Sequence, residues 1–155
     1  MNHQIEKVLF SESEIASMVQ KLGQAISRDY HNKRLILVSL MKGSLIFTAD
    51  LMRQITIPCQ LECMTVSSYK GVQSSGKITV VQDVSASLEH ADVLVVEDML
   101  DTGLTLQYIL GHLKQKHAES VRICTLFDKP EGRKASVKAD YVGAKVPNAF
   151  LVGYG

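Results

Sequence analysis

An α/β fold, a twisted and mainly parallel sheet flanked by helices, is what this sequence predicts, on three observations. Apolar strand-like runs alternate with helical periodicity through the first two-thirds of the chain, the pattern of successive βαβ units. The run Val93-Leu94-Val95-Val96 is apolar at every position, as in a strand covered on both faces. It ends in Glu97-Asp98, followed by Asp101-Thr102-Gly103 and a helix-like stretch. Acids at the C-terminal end of a strand sit where open α/β sheets bind ligands.

The elements follow in order. Ser11-Glu12-Ser13-Glu14 has the form of a capping box, with Ser11 as N-cap and Glu14 reaching back. Ile15, Met18, Val19, Leu22 and Ile26 follow at helical spacing, so a helix is expected over residues 12–30. Residues 34–40 read as a buried strand, 41–44 as a turn and 44–54 as a second helix. Pro58 precedes a strand at 59–67. Residues 68–77 are polar, carry Gly71 and Gly76, and have no apolar period, which reads as a loop. A returning strand is expected at 78–84, the acidic strand at 93–97, its helix at 104–116 and a further strand at 121–127. Residues 128–138 form a charged loop, and short strands are expected at 141–142 and 150–152.

The 155 residues are 46% hydrophobic and 21% charged, with a net charge of +1. That size suits one domain over 1–155 with a real core. The near-neutral charge gives no support to a nucleic-acid or anionic-membrane partner. Three cysteines, Cys59, Cys63 and Cys124, fit a reducing compartment better than a disulfide framework. Cys59 and Cys63 have no further ligands spaced to complete a zinc site, so buried thiols are expected. The polar start has no apolar segment behind a basic one, and the apolar stretch 35–47 is broken by Lys42 and too short to span a bilayer. A cytoplasmic protein is expected.

The chemistry concentrates after the acidic strand. Glu97 and Asp98 are paired hard oxygen acceptors, suited to vicinal hydroxyls or to magnesium; two solvated loop acids would look the same. Asp101 is a candidate proton acceptor and equally a good helix N-cap. Thr102, Gly103, Leu104 and Thr105 combine hydroxyls, a residue without a side chain and a helix N-terminus, the parts of a phosphate cradle. An ordinary strand-to-helix turn uses the same residue types.

Glu97-Asp98-x-x-Asp101-Thr102-Gly103, with Thr105, resembles the signature of the type I phosphoribosyltransferases in their 6-oxopurine branch. Three further elements agree with that family in order, and the resemblance covers nearly the whole chain. The resemblance implies the type I phosphoribosyltransferase fold with a small base-binding lobe. It implies purine salvage: a phosphoribosyl group passes from 5-phosphoribosyl 1-pyrophosphate to hypoxanthine or guanine, with magnesium, giving IMP or GMP and pyrophosphate. By the same resemblance Glu97 and Asp98 hold the ribose and the metal, and Asp101 is the general base. Residues 102–105 hold the 5′-phosphate.

Met41-Lys42-Gly43 resembles the loop that contacts pyrophosphate, which in relatives can carry a cis peptide; read alone, Lys42 is a surface lysine in a turn. Ser68 and Tyr69 resemble the start of the loop that closes over the site, with Gly71 and Gly76 as hinges. Lys129 resembles the lysine that recognises the exocyclic oxygen of the base, and an ammonium favours a carbonyl over an amino group. Arg133 resembles the supporting arginine, with Lys134 beside it as a second candidate. Phe150 resembles the aromatic that stacks on the purine, and Leu151 the residue whose backbone meets the ring edge. Family members continue past the position of Gly155 with an aspartate for magnesium and an arginine for pyrophosphate, so that tail is expected to be missing from this sequence. Relatives are commonly homodimers or homotetramers. The alternative is a regulatory protein on the same fold that senses nucleotide or sugar donor and binds RNA or DNA.

Overall fold

In the computed structural model, which describes residues 7–68 and 77–155, the order of elements follows from hydrophobic period and capping chemistry. Helix α1 (Glu12–Asp29) begins with the expected capping box. The Glu14 N–H donates to Ser11 Oγ, and the Ser11 N–H to the Glu14 carboxylate, each at 3.1 Å. Strand β1 (Leu35–Leu40) is buried at every position. Helix α2 (Leu45–Gln54) and strand β2 (Cys59–Ser68) follow. Strand β3 (Ile78–Gln82) stops short of the expected end, because Asp83 turns its carboxylate to the Val84 N–H (2.8 Å) and to His112 (2.8 Å) and Lys116 (3.1 Å).

Strand β4 (Asp92–Leu100) runs three residues past the expected end at Glu97, since Met99 and Leu100 keep pairing with the next strand. Helix α3 (Leu104–Lys114), strand β5 (Ser120–Asp128), a 3₁₀ turn (Pro130–Gly132) and strand β6 (Tyr141–Lys145) complete the order. The strand expected at 150–152 does not form. Phe150 and Val152 are 84% and 62% exposed, and β6, whose registered partner is β5, leaves that edge of the sheet open. An apolar run without a neighbour to complete the ladder makes no strand. The segment is tied instead through the Tyr154 hydroxyl to Asp50 on α2.

The strands form one sheet in the order β3-β2-β1-β4-β5-β6. β2, β1, β4, β5 and β6 are parallel, and β3 is antiparallel to β2. Alternate residues of the central strands feed two cores. Leu35, Leu37, Leu94 and Val96 pack with α1 and α2 on one face. Ile36, Val38, Val93 and Val95 pack with α3 on the other. Chain order reverses direction across the sheet between β1 and β4, and there the C-terminal ends of β1, β4 and β5 lie side by side, the crevice that such sheets offer to ligands.

Helix α1 crosses α2 at Gly23, where an added Cβ would lie 2.7 Å from the Gln54 carbonyl oxygen. A Gly23→Ala protein gains about 1 kcal/mol of helix propensity but forces the helices apart, and overpacking costs about 1–3 kcal/mol. Urea unfolding is expected to show a net loss of stability; a more stable variant would contradict the close approach.

Candidate active site

The loops after β1, β4 and β5 carry most of the residues singled out in the sequence, and parallel pairing makes them neighbours. After β1, the Met41–Lys42 peptide is cis, and the Met41 N–H donates to the Met64 carbonyl (2.8 Å). Lys42 and Gly43 are exposed. Beneath them lies a buried chain of hydroxyls: Ser39 Oγ is 2.8 Å from Ser44 Oγ and 2.7 Å from Thr48 Oγ1, and Ser44 Oγ donates to the Leu40 carbonyl (2.6 Å). This chain satisfies every member while it anchors the loop to β1 and α2. Sequence reading missed it, although a serine inside the apolar run Leu35–Leu40, with hydroxyls at 44 and 48, was a usable signal.

Glu97 and Asp98 remain within β4 and so begin from opposite faces of the strand. They meet because the Glu97 carboxylate folds back to accept the Asp98 N–H (3.1 Å). Burial pushes the Glu97 carboxyl well above the ordinary range, and the hydrogen bond and charge of Asp98 push the same way. Asp98 faces the β1 loop, its Oδ1 3.4 Å from where a Cβ on Gly43 would stand. Among the described residues no three His, Cys, Asp or Glu side chains form a metal-binding group. Two adjacent carboxylates still suit a cation that takes its other ligands from water and substrate.

After β4, Gly103 has φ +80°, the left-handed conformation that favours glycine, and stands as N-cap of α3 with no side-chain cap. Asp101 is therefore not the cap. The Leu104 N–H donates to Thr102 Oγ1 at 3.4 Å, and the first turn of α3 otherwise opens beside Thr102 and Thr105, as an anion site requires. A Cβ on Gly103 would stand 3.1 Å from Arg133 Cδ. The Thr102 carbonyl accepts the N–H groups of Lys134 (2.8 Å) and Ala135 (3.0 Å), so the 133–135 segment braces this loop.

After β5, Lys129 is 7% exposed, its Nζ 3.4 Å from Asp101 Oδ2. That separation is long for a hydrogen bond, so a buried ammonium keeps donor capacity for a ligand. Arg133 is engaged on three sides: Nε to the Asp101 carbonyl (3.0 Å), Nη1 to the Val137 carbonyl (2.6 Å) and Nη2 to the Asp128 carboxylate. Phe127, at the end of β5, stacks on Phe10 with centroids 5.2 Å apart, a contact absent from the sequence reading. Phe150 presents an open ring, and Leu151 is half-buried. Ser68 ends β2 and is exposed; Tyr69, Gly71 and Gly76 lie outside the described residues.

The profile of the family described as phosphoribosyl transferase domain matches residues 7–155. The chain belongs to the phosphoribosyltransferase family. A hypoxanthine-guanine phosphoribosyltransferase of Streptococcus mutans is 46% identical to it over 156 residues, covering all of this chain and 87% of that protein. One of Bacillus subtilis is 44% identical over the same span and coverage. A crystal structure of a hypoxanthine phosphoribosyltransferase from Staphylococcus aureus superposes with a TM-score of 0.93 at 41% identity, covering 97% of this chain and 83% of that one. The sheet described above is thus the type I phosphoribosyltransferase sheet.

The raised Glu97 pKa sets a direction for stability. Between the ordinary glutamate pKa and the raised one, the folded state holds a proton that the unfolded state has lost. Stability therefore falls as pH rises through that window, and the penalty is complete above the folded pKa. Glu97→Gln is expected to raise the thermal midpoint of the ligand-free, metal-free protein at neutral pH, with the gain vanishing as pH falls to the ordinary glutamate range. A gain independent of pH would contradict the burial of this carboxyl.

Proposed function

We propose that the protein is a purine-salvage enzyme, transferring phosphoribosyl from 5-phosphoribosyl 1-pyrophosphate to hypoxanthine or guanine. The carrying observation is the meeting of a carboxylate and a buried ammonium, Asp101 and Lys129, beside a helix N-terminus whose N-cap, Gly103, has no side chain. The family and the relatives named above support the reading.

Each group has a task. The first turn of α3, with Thr102, Gly103, Leu104 and Thr105, binds the 5′-phosphate through free N–H groups and hydroxyls. Glu97 and Asp98 accept hydrogen bonds from the ribose hydroxyls and offer oxygen ligands to a divalent cation, magnesium in this reading. The cation supplies charge neutralisation for the departing pyrophosphate. Met41, Lys42 and Gly43, with Ser68 and Tyr69, receive the pyrophosphate. Lys129 donates to the exocyclic oxygen of the base, Phe150 stacks on its ring, and Leu151 meets its edge. Holding both ends aligns the ring nitrogen with the anomeric carbon. Asp101 accepts the ring proton as the nitrogen–carbon bond forms and pyrophosphate leaves. Arg133 supports the site by joining the loops after β4 and β5.

The same reading takes residues 1–155 as one domain in the cytoplasm. The cysteines are free, and among the described residues no helix is long and apolar enough to cross a membrane. It also takes the protein as a homodimer or homotetramer, a state that light scattering reads directly.

Nucleotide formation with hypoxanthine, guanine, xanthine and adenine offered separately tests the activity. Turnover is expected with hypoxanthine or guanine and not adenine, and is expected to stop when a chelator removes magnesium. Asp101→Asn should lose roughly 10²–10⁴-fold in turnover while sugar-donor binding holds; equal loss of both would remove Asp101 from the proton-accepting role. Lys129→Ala should narrow the preference for 6-oxopurines over adenine, and an unchanged preference would sink its assignment.

A further inference from the structure

We propose that Gly132 is a positioning residue for Asp101: the space left by its missing side chain is the seat of Asp101 Oδ1, and that seat holds the carboxylate beside Lys129. The proposal rests on the reading of Asp101 as proton acceptor.

Conformation does not require glycine here. Among the described glycines, positive φ occurs at Gly103, Gly153 and Gly155, not at Gly132. Gly132 closes the 3₁₀ turn after Lys129, its N–H donating to the Lys129 carbonyl (3.2 Å). Space does require it. A Cβ at this position would overlap Asp101 Oδ1 and lie 3.3 Å from Asp101 Cγ and 3.6 Å from Lys129 Cδ. One methyl group would displace the Asp101 carboxylate while resting in ordinary van der Waals contact with Lys129.

The turn and the carboxylate are not equally free to yield. The turn is fastened on both sides: the Lys129 N–H donates to the Leu100 carbonyl (2.9 Å), and Arg133 Nε to the Asp101 carbonyl (3.0 Å). Arg133 is also paired with Asp128 on β5. The Asp101 carboxylate is about half exposed, at 48%, and its side-chain partner is Lys129 alone among the described residues, at 3.4 Å. A side chain at position 132 therefore moves the carboxylate and leaves the turn in place. Misplacing an acid–base group by an ångström is enough to slow the chemical step while donor binding, made elsewhere, is untouched.

The test is a double-mutant cycle of Gly132→Ala, Asp101→Asn and the combined variant, with kcat and the KM for 5-phosphoribosyl 1-pyrophosphate measured for each. Gly132→Ala is expected to fold with an unchanged thermal midpoint and to lose roughly 10–100-fold in kcat at constant KM for the donor. The combined variant is expected to be no slower than Asp101→Asn alone, because the glycine acts through that carboxylate. Full kcat in Gly132→Ala, an equal further loss on the Asp101→Asn background, or an unfolded Gly132→Ala protein would each overturn the proposal. Full turnover by Asp101→Asn would instead overturn the proton-acceptor reading, so the two failures are distinguishable.

Discussion

The parallel register of β1, β4 and β5 is the constraint on which the rest depends. Leu37 pairs with Leu94, and Val95 with Ile123, so the C-terminal ends of three strands stand side by side. Gly43 and Asp98, and Asp101 and Lys129, are far apart in the chain and become neighbours only because those ends are adjacent. The register is held from both faces. Leu37 and Leu94 belong to the core under α1 and α2, while Val95 and Ile123 belong to the core under α3. A slip of one residue would exchange the two sets and expose neither face to the right helices.

On this frame the site accumulates charge whose needs the protein meets only in part. Lys129 is buried with one distant carboxylate for company. Glu97 is half-buried against another acid, and desolvation and that neighbour disfavour its ionised form. Both are costly arrangements in a low-dielectric setting, and both are relieved in the proposed reaction, by a purine carbonyl and by a cation or ribose hydroxyls. Arg133 is different: its guanidinium is met by two carbonyls and Asp128. It makes the loops after β4 and β5 one unit, so a shift in either moves both Asp101 and Lys129.

Much of this was legible in the chain. The capping box at Ser11 and Glu14, the order of strands and helices, and the strand-end location of Lys129 follow from local chemistry and hydrophobic period, which act over a few residues. The failures share a cause as well. Residues 150–152 have the apolar run of a strand but no partner, and pairing is a tertiary event. The end of β4 was placed too early because Glu97 and Asp98 look like a turn. The ladder with β5 carries the strand on to Leu100, and hydrogen bonds to a neighbour outweigh the preference of two acids for solvent.

By itself the sequence determined the α/β class and the family, because both are written in local spacing and residue chemistry. Only the tertiary structure decided the relations among the site residues. That Asp101 stands beside Lys129 rather than capping α3, and that Gly132 leaves room for the Asp101 carboxylate, are distances between segments remote in the chain. Such distances arise when apolar faces are buried together and the backbone between them must close, and no pattern along one segment records where the other will lie.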